Sequence, residues 1–210
     1  MSRLVTFGCS YTYGQGLNDC YNNKGTHGPY PSKYAWPNVL AQLLDRECIN
    51  LGLPGASNKA IWYRAIKQHY NQDDIVVFLW THIERHSVIQ ENGKILPIGV
   101  WTKGKIADAY FRYFQNSTDS NIELNCKLSQ IKFYLDNLGI RNYHCFAVDK
   151  EIELLEFNKS IKTFKTSFHN IRSSHGLGAD NAHPNEDAQR EFAHSLYKEL
   201  KEIEDETTLQ

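Results

Sequence analysis

Short apolar runs alternate along the chain with longer stretches in which apolar residues recur every three or four positions. Leu4 to Gly8, Cys48 to Leu51, Ile75 to Trp80 and Tyr143 to Val148 have strand length. The run Ile75 to Trp80 has no polar interruption, as expected of a central strand covered on both faces. Between the runs, Val39, Leu40, Leu43 and Leu44 mark a helical stripe entered near Pro37, and Ala60, Ile61, Ala65 and Ile66 mark a second. Ile122, Cys126, Ile131, Leu135 and Leu138 suggest a third helix, stopped at Gly139. Ala188, Phe192, Leu196 and Leu200 fall on every fourth position of a final amphipathic helix, whose polar end, Glu202 to Gln210, is expected to fray. Strands alternating with helices predict an α/β protein with a parallel sheet. Residues 86 to about 120 break the rhythm and read as an irregular insertion with some helix, within one domain spanning 1–210. Glu151 to Thr166 is ambiguous between helix and strand.

Composition narrows the class. With 23 basic and 24 acidic residues the formal charge is −1, which supplies no broad field for nucleic acid. No segment approaches the ~20 apolar residues of a membrane span, and the first residues are too short an apolar run for a secretory signal. Five cysteines without Cys-x-x-Cys spacing suggest neither a disulfide framework nor a zinc knuckle, so a reducing, cytoplasmic setting is expected. The histidines form no ligand cluster and no helical pair with a carboxylate base, so neither a metal nor an organic cofactor is implied. Oligomeric state is not legible.

Candidate chemistry sits on the loops. In a parallel α/β sheet functional loops gather at the carboxyl ends of the strands. Ser10, Gly55, Thr81 and His82 all follow predicted strands, and Asp180 and His183 lie in the loop before the last helix. A carboxylate three residues before a histidine can orient its ring, and a serine hydroxyl brought to that ring can lose its proton to it. No Gly-x-Ser-x-Gly elbow occurs, so the α/β-hydrolase arrangement is not indicated. Simpler roles compete: Ser10 as a turn residue, His183 as a helix cap, Gly55 as a turn position needing positive φ. Glu84 and Arg85 suggest an ion pair at the rim, and the aromatic cluster Tyr110 to Phe114 reads as packing within the insertion.

Several blocks together resemble the SGNH hydrolases, the GDSL-like esterases and lipases. Gly8-Cys9-Ser10 is similar to the Gly-Asp-Ser of the first block, followed by Ala35-Trp36-Pro37. Asn50-Leu51-Gly52-Leu53-Pro54-Gly55 is similar to the second, and Asp180 to Asn185, continued by Asp187-Ala188-Gln189, to the fifth. The resemblance implies a three-layer α/β/α fold of flavodoxin type with a parallel sheet of about five strands. It implies Ser10 as nucleophile, His183 as base and Asp180 as its orienter, with the N–H groups of Ser10 and Gly55 as oxyanion donors. The third block departs: Trp80-Thr81-His82-Ile83-Glu84-Arg85 stands where the family carries Gly-x-Asn-Asp, which puts His82 in the place of the oxyanion asparagine. Asn58 and Thr81 are further candidate substrate ligands. Cys9 in place of aspartate is expected to point away from the cleft as a small buried residue, with a reactive thiol as the remote alternative. The implied activity is hydrolysis of a small O-acyl or O-acetyl ester, carried on a carbohydrate or another small molecule. The alternatives are a catalytically weak or inactive binding protein of the same fold, and an acyltransferase using the same three residues.

Overall fold

The computed structural model describes residues 2–21, 27–148 and 153–208. In chain order these form β1 (Arg3–Gly8), α1 (Ser10–Tyr13), α2 (Trp36–Leu43), β2 (Glu47–Gly52), α3 (Asn58–Ile66) and β3 (Ile75–Trp80). There follow β4 (His86–Ile89), β5 (Ile95–Ile98), α4 (Lys105–Ala109), which runs into a π-helical turn at Tyr110–Phe114, and α5 (Ser117–Asn137). The chain closes with β6 (Arg141–Phe146), α6 (Phe168–Ser174) and α7 (Glu186–Thr208).

Four strands pair in parallel in the order β2-β1-β3-β6. All six side chains of β3 are buried, as its uninterrupted apolar sequence requires of a central strand. Each such side chain stabilises the fold by about 1.5–3 kcal/mol relative to leaving it exposed. Right-handed crossovers out of β1 and out of β2 run toward opposite edges of the sheet and so lay α2 and α3 on opposite faces. α7 packs beside α2, and α5 beside α3, which completes three layers. A fifth strand was expected; among the described residues only one parallel bridge, His144 with Thr163, stands at its place. His144 N–H donates to Lys162 O (3.0 Å) and Phe164 N–H to His144 O (2.8 Å), after which the chain turns into α6. Two hydrogen bonds cover part of the β6 edge without extending the sheet.

Three helical expectations need adjustment. In α5, Ile122 and Cys126 are exposed, and the buried stripe is Leu124, Leu128, Ile131 and Leu135, spaced four, three and four. In α2 the fully buried residues are Trp36, Pro37, Leu40 and Ala41, with Val39 and Leu44 half-buried. α7 does not fray at Glu202: its helix continues to Thr208, because Glu204 accepts from Arg141 (2.8 Å) and Tyr143 (3.4 Å) on β6. Its predicted ladder Ala188, Phe192, Leu196 and Leu200 is wholly buried. Of the ambiguous stretch, residues 151 and 152 lie outside the described residues; the rest holds one 3₁₀ turn at Glu156–Asn158 and the bridge at Thr163.

The insertion is more regular than expected. β4 and β5 form an antiparallel hairpin in register His86 to Ile98, closed through Asn92 and Gly93. The Asn-Gly pair is a strong turn signal, and Gly93 takes φ +80 there. Ser87 anchors the hairpin through a 2.8 Å hydrogen bond between its hydroxyl and that of Ser57 at the start of α3. Among the described residues no helix is long and apolar enough to cross a membrane.

Candidate active site

The parallel register sets Gly8 opposite Gly52 and Phe7 opposite Phe78, so β1, β2 and β3 end nearly level. The loops bearing Ser10, Gly55 and Thr81-His82 therefore leave one edge of the sheet. Ser10 opens α1 directly after β1 and is almost fully buried. As the first helical residue its N–H has no intrahelical acceptor. Gly55 adopts φ +75, a conformation that favours glycine, and among the described residues nothing accepts from its N–H.

Asp180 and His183 are joined. Asp180 Oδ2 lies 2.6 Å from His183 Nδ1, while Oδ1 accepts from the backbone N–H of His183 (2.9 Å) and of Ala182 (3.0 Å). Burial pushes the Asp180 carboxyl up, but the two backbone donors and the ring together hold it below its ordinary value. An ionised carboxylate only accepts, so Nδ1 carries the proton and Nε2 keeps its lone pair. Burial, aided by the nearby charges of Arg172 and Arg85, lowers the His183 pKa below 6.5 despite the pull of Asp180. The ring is thus a neutral base at neutral pH.

Contacts across the whole sequence bring this pair to Tyr11, the residue after Ser10. Tyr11, next to Ser10, meets the His183 ring edge-on at 5.9 Å and receives a 3.2 Å hydrogen bond from Arg172 Nη1 on its hydroxyl. Arg172 Nη2 donates to Ala182 O at 3.0 Å, so one guanidinium braces both sides of the site. Buried Gln189 on α7 donates to Tyr11 O (3.2 Å) and accepts from Trp36 N–H (2.9 Å), tying α1, α2 and α7 together. Gly16 seats the acidic loop: its carbonyl accepts from Ala179 N–H at 2.8 Å, and a β carbon on it would stand 2.6 Å from Asp180 Oδ1. Among the described residues no hydrogen bond joins the Ser10 hydroxyl to the His183 ring. Such bonds are commonly long before substrate arrives and tighten in the complex.

The remaining predicted residues divide. Asn58 and Thr81 are bonded to each other: Asn58 Nδ2 donates to Thr81 O (3.0 Å) and Oδ1 accepts from Thr81 N–H (2.8 Å). Both are buried, and the amide clamps the end of β3 immediately before His82. His82 is half-buried, and burial, with Arg85 beside it, lowers its pKa below 6.5, so it stands as a neutral imidazole able to donate one N–H. Cys9 is buried as expected. The expected Glu84–Arg85 ion pair is absent among the described residues; Arg85 instead stacks over Trp101, 4.8 Å from the ring centroid. A planar, weakly hydrated guanidinium gains cation–π attraction from the indole face. In the aromatic cluster Tyr110 packs on His86 (4.9 Å) and Phe111 (5.2 Å), whereas Tyr113 and Phe114 are exposed. Sequence reasoning did not single out Tyr11, Gly16, Trp101 or Arg172. Only Gly16, in the pair Gly14-x-Gly16 after a helix, left a local signal.

No protein-family model matches the sequence, and no curated protein does. Solved structures do match. A carbohydrate esterase of family two from Clostridium thermocellum, in complex with cellohexaose, is similar at 14% identity and TM-score 0.57, over 96% of this chain and 64% of that one. A member of the lipolytic G-D-S-L family from Veillonella parvula is similar at 13% identity and TM-score 0.51, over 94% of this chain and 97% of that one. An extracellular lipase from Streptomyces rimosus is similar at 12% identity and TM-score 0.53, over 94% and 99% of the two chains. The fold is therefore that of the SGNH hydrolases, with a four-stranded parallel sheet flanked by helices.

Proposed function

We propose that this chain is a serine esterase of SGNH type. The observation that carries the reading is the 2.6 Å bond between Asp180 and His183, on a ring that packs against the residue following Ser10. Ser10 Oγ attacks the ester carbonyl as His183 Nε2 takes its proton; that proton then passes to the leaving alcohol, and an acyl group stays on Ser10. Water, deprotonated by the same nitrogen, releases the acid. Asp180 stays ionised and stabilises the imidazolium. The N–H groups of Ser10 and Gly55, with a donor from neutral His82, receive the oxyanion. Asn58 and Thr81 serve this site by fixing the backbone before His82 rather than by touching substrate.

The substrate class is a small O-acyl ester on a carbohydrate or related polyol. The likeness in fold to the cellohexaose-bound carbohydrate esterase supports that choice over a long acyl chain, as does the tyrosine-rich composition. A panel of short-chain p-nitrophenyl esters tests the reading. Wild type is expected to turn over at least one of them, and Ser10→Ala to lose about 10⁴-fold or more in kcat. Turnover undiminished in Ser10→Ala contradicts the mechanism. Silence of wild type toward every ester turns the reading to a binding protein, and acyl transfer to an added alcohol turns it to a transferase.

A further inference from the structure

Beside Gly55 lies a cavity of about 200 Å³ lined by His82, Glu84, Arg85, Val100 and Trp101. Trp101 forms the wall shared with the proposed oxyanion glycine: its Cζ2 lies 3.5 Å from where a Gly55 β carbon would sit. The indole is packed down on Gly99, where a β carbon would come within 2.3 Å of Cη2, so a bare backbone is required beneath it. Over the ring stands the Arg85 guanidinium. Among the described residues Arg85 forms no ion pair, and its Nη1 is buried with no hydrogen-bond partner. A cationic side chain with an unsatisfied donor is costly, and the part of the guanidinium that lines the cavity is where an acceptor from outside the chain can meet it.

A second cation points the same way. Arg172 spends its donors on neutral oxygens, Tyr11 Oη and Ala182 O, and its charge remains uncompensated by any carboxylate bonded to it among the described residues. The charges of Arg85 and Arg172 both reach the rings of His82 and His183. Cations held beside apolar walls draw ligands of the opposite sign. Glu84 lines the same cavity and disfavours a dianion such as a phosphate monoester, while it can accept from a hydroxyl.

Resting on the esterase reading above, we propose that Arg85 and Trp101 form a carboxylate subsite, and that the substrate is an ester carrying a single carboxylate, as in an O-acylated sugar acid. The carboxylate pairs with the Arg85 guanidinium where it lines the cavity, the indole edge borders the adjoining carbons, and the ester is thereby set against Gly55 and His82. Arg172 contributes field rather than contact.

Steady-state hydrolysis by the full chain tests this with matched pairs of esters: p-nitrophenyl hemisuccinate against p-nitrophenyl butyrate, with the carboxylate on the acyl side, and para-acetoxybenzoate against phenyl acetate, with it on the leaving side. One carboxylate ester is expected to exceed its neutral partner in kcat/KM by about ten- to hundredfold. The pair that shows the preference tells which half of the ester occupies the cavity. That ratio is expected to shrink when salt is raised to about 0.5 M, to fall toward one in Arg85→Met and to recover in part in Arg85→Lys. Ratios near one for both pairs, or a ratio indifferent to both substitutions and to salt, overturn the subsite. Should Arg85→Met fail to fold, the lysine variant and the salt series decide alone. If wild type hydrolyses no ester, the esterase reading fails by itself, and calorimetric binding of monomethyl succinate reads the cavity without turnover: binding lost in Arg85→Met upholds the subsite, and no binding to wild type overturns it.

Discussion

Two histidines of this chain sit in opposite settings. His144 on β6 is fully buried, stacked on Phe78 at 5.0 Å, with Nδ1 accepting from Trp80 Nε1 (3.0 Å) and Nε2 facing Asn142 Oδ1 (3.2 Å). His183 is also bonded through Nδ1, but as donor to Asp180, on a loop at the carboxyl edge of the sheet. Burial lowers both pKa values, that of His144 to about 3. The difference lies in the nitrogens: in His144 both are committed inside the core, whereas in His183 one is committed and Nε2 is left for chemistry. A depressed pKa alone therefore does not distinguish a candidate base from a core histidine; an uncommitted nitrogen at the carboxyl edge of the sheet does.

The contrast breaks most sharply at Asp180. Asp180→Asn removes the carboxylate that fixes the His183 tautomer, and kcat is expected to fall about 10⁴-fold with melting temperature nearly unchanged. His82→Ala asks whether a third histidine donates to the oxyanion, and a loss of about 10²-fold in kcat with little change in KM is expected. A KM effect alone assigns His82 to substrate binding. His144→Phe is expected to leave the mechanism intact and to cost about 1–3 kcal/mol of stability in denaturant titrations at neutral pH, because Trp80 Nε1 loses its acceptor.

The acid response sharpens the comparison further. Below pH 6.5 the unfolded His144 takes up a proton that the folded ring refuses until about pH 3, so the unfolded state binds more protons and stability falls as pH drops through that window. In His144→Phe that part of the acid loss disappears from unfolding curves measured between pH 7 and pH 4. For His183 the same direction of shift keeps the base neutral below pH 6.5, so kcat/KM is expected to hold through mild acid and fail only as that ring protonates. Arg85→Met removes a nearby positive charge, and the acid limb of the rate profile moves to higher pH by a fraction of a unit.

What was legible in sequence followed from period and spacing. The β3 run, the α7 ladder and the Asp180-x-x-His183 pair are local patterns, and each appears in the structure with the geometry its spacing implies. The α5 stripe was only half legible, since Ile122 and Cys126 mimic a helical period whose true face holds Leu124 and Leu128. Contacts between distant segments left almost no trace. Gln189 bridging Tyr11 and Trp36, Arg172 bracing Tyr11 and Ala182, and Gly16 beneath Asp180 depend on how loops meet, which no local period encodes. Arg85 shows the same limit: a neighbouring glutamate suggested an ion pair, and the chain fold delivered an indole instead.

Active-site labelling tests the central claim most directly. A fluorophosphonate probe on the full chain, followed by peptide mass spectrometry, is expected to add one phosphonyl group to Ser10 in wild type and none in His183→Ala. A label on Cys9 or on any other residue, or undiminished labelling of Ser10 without His183, contradicts it.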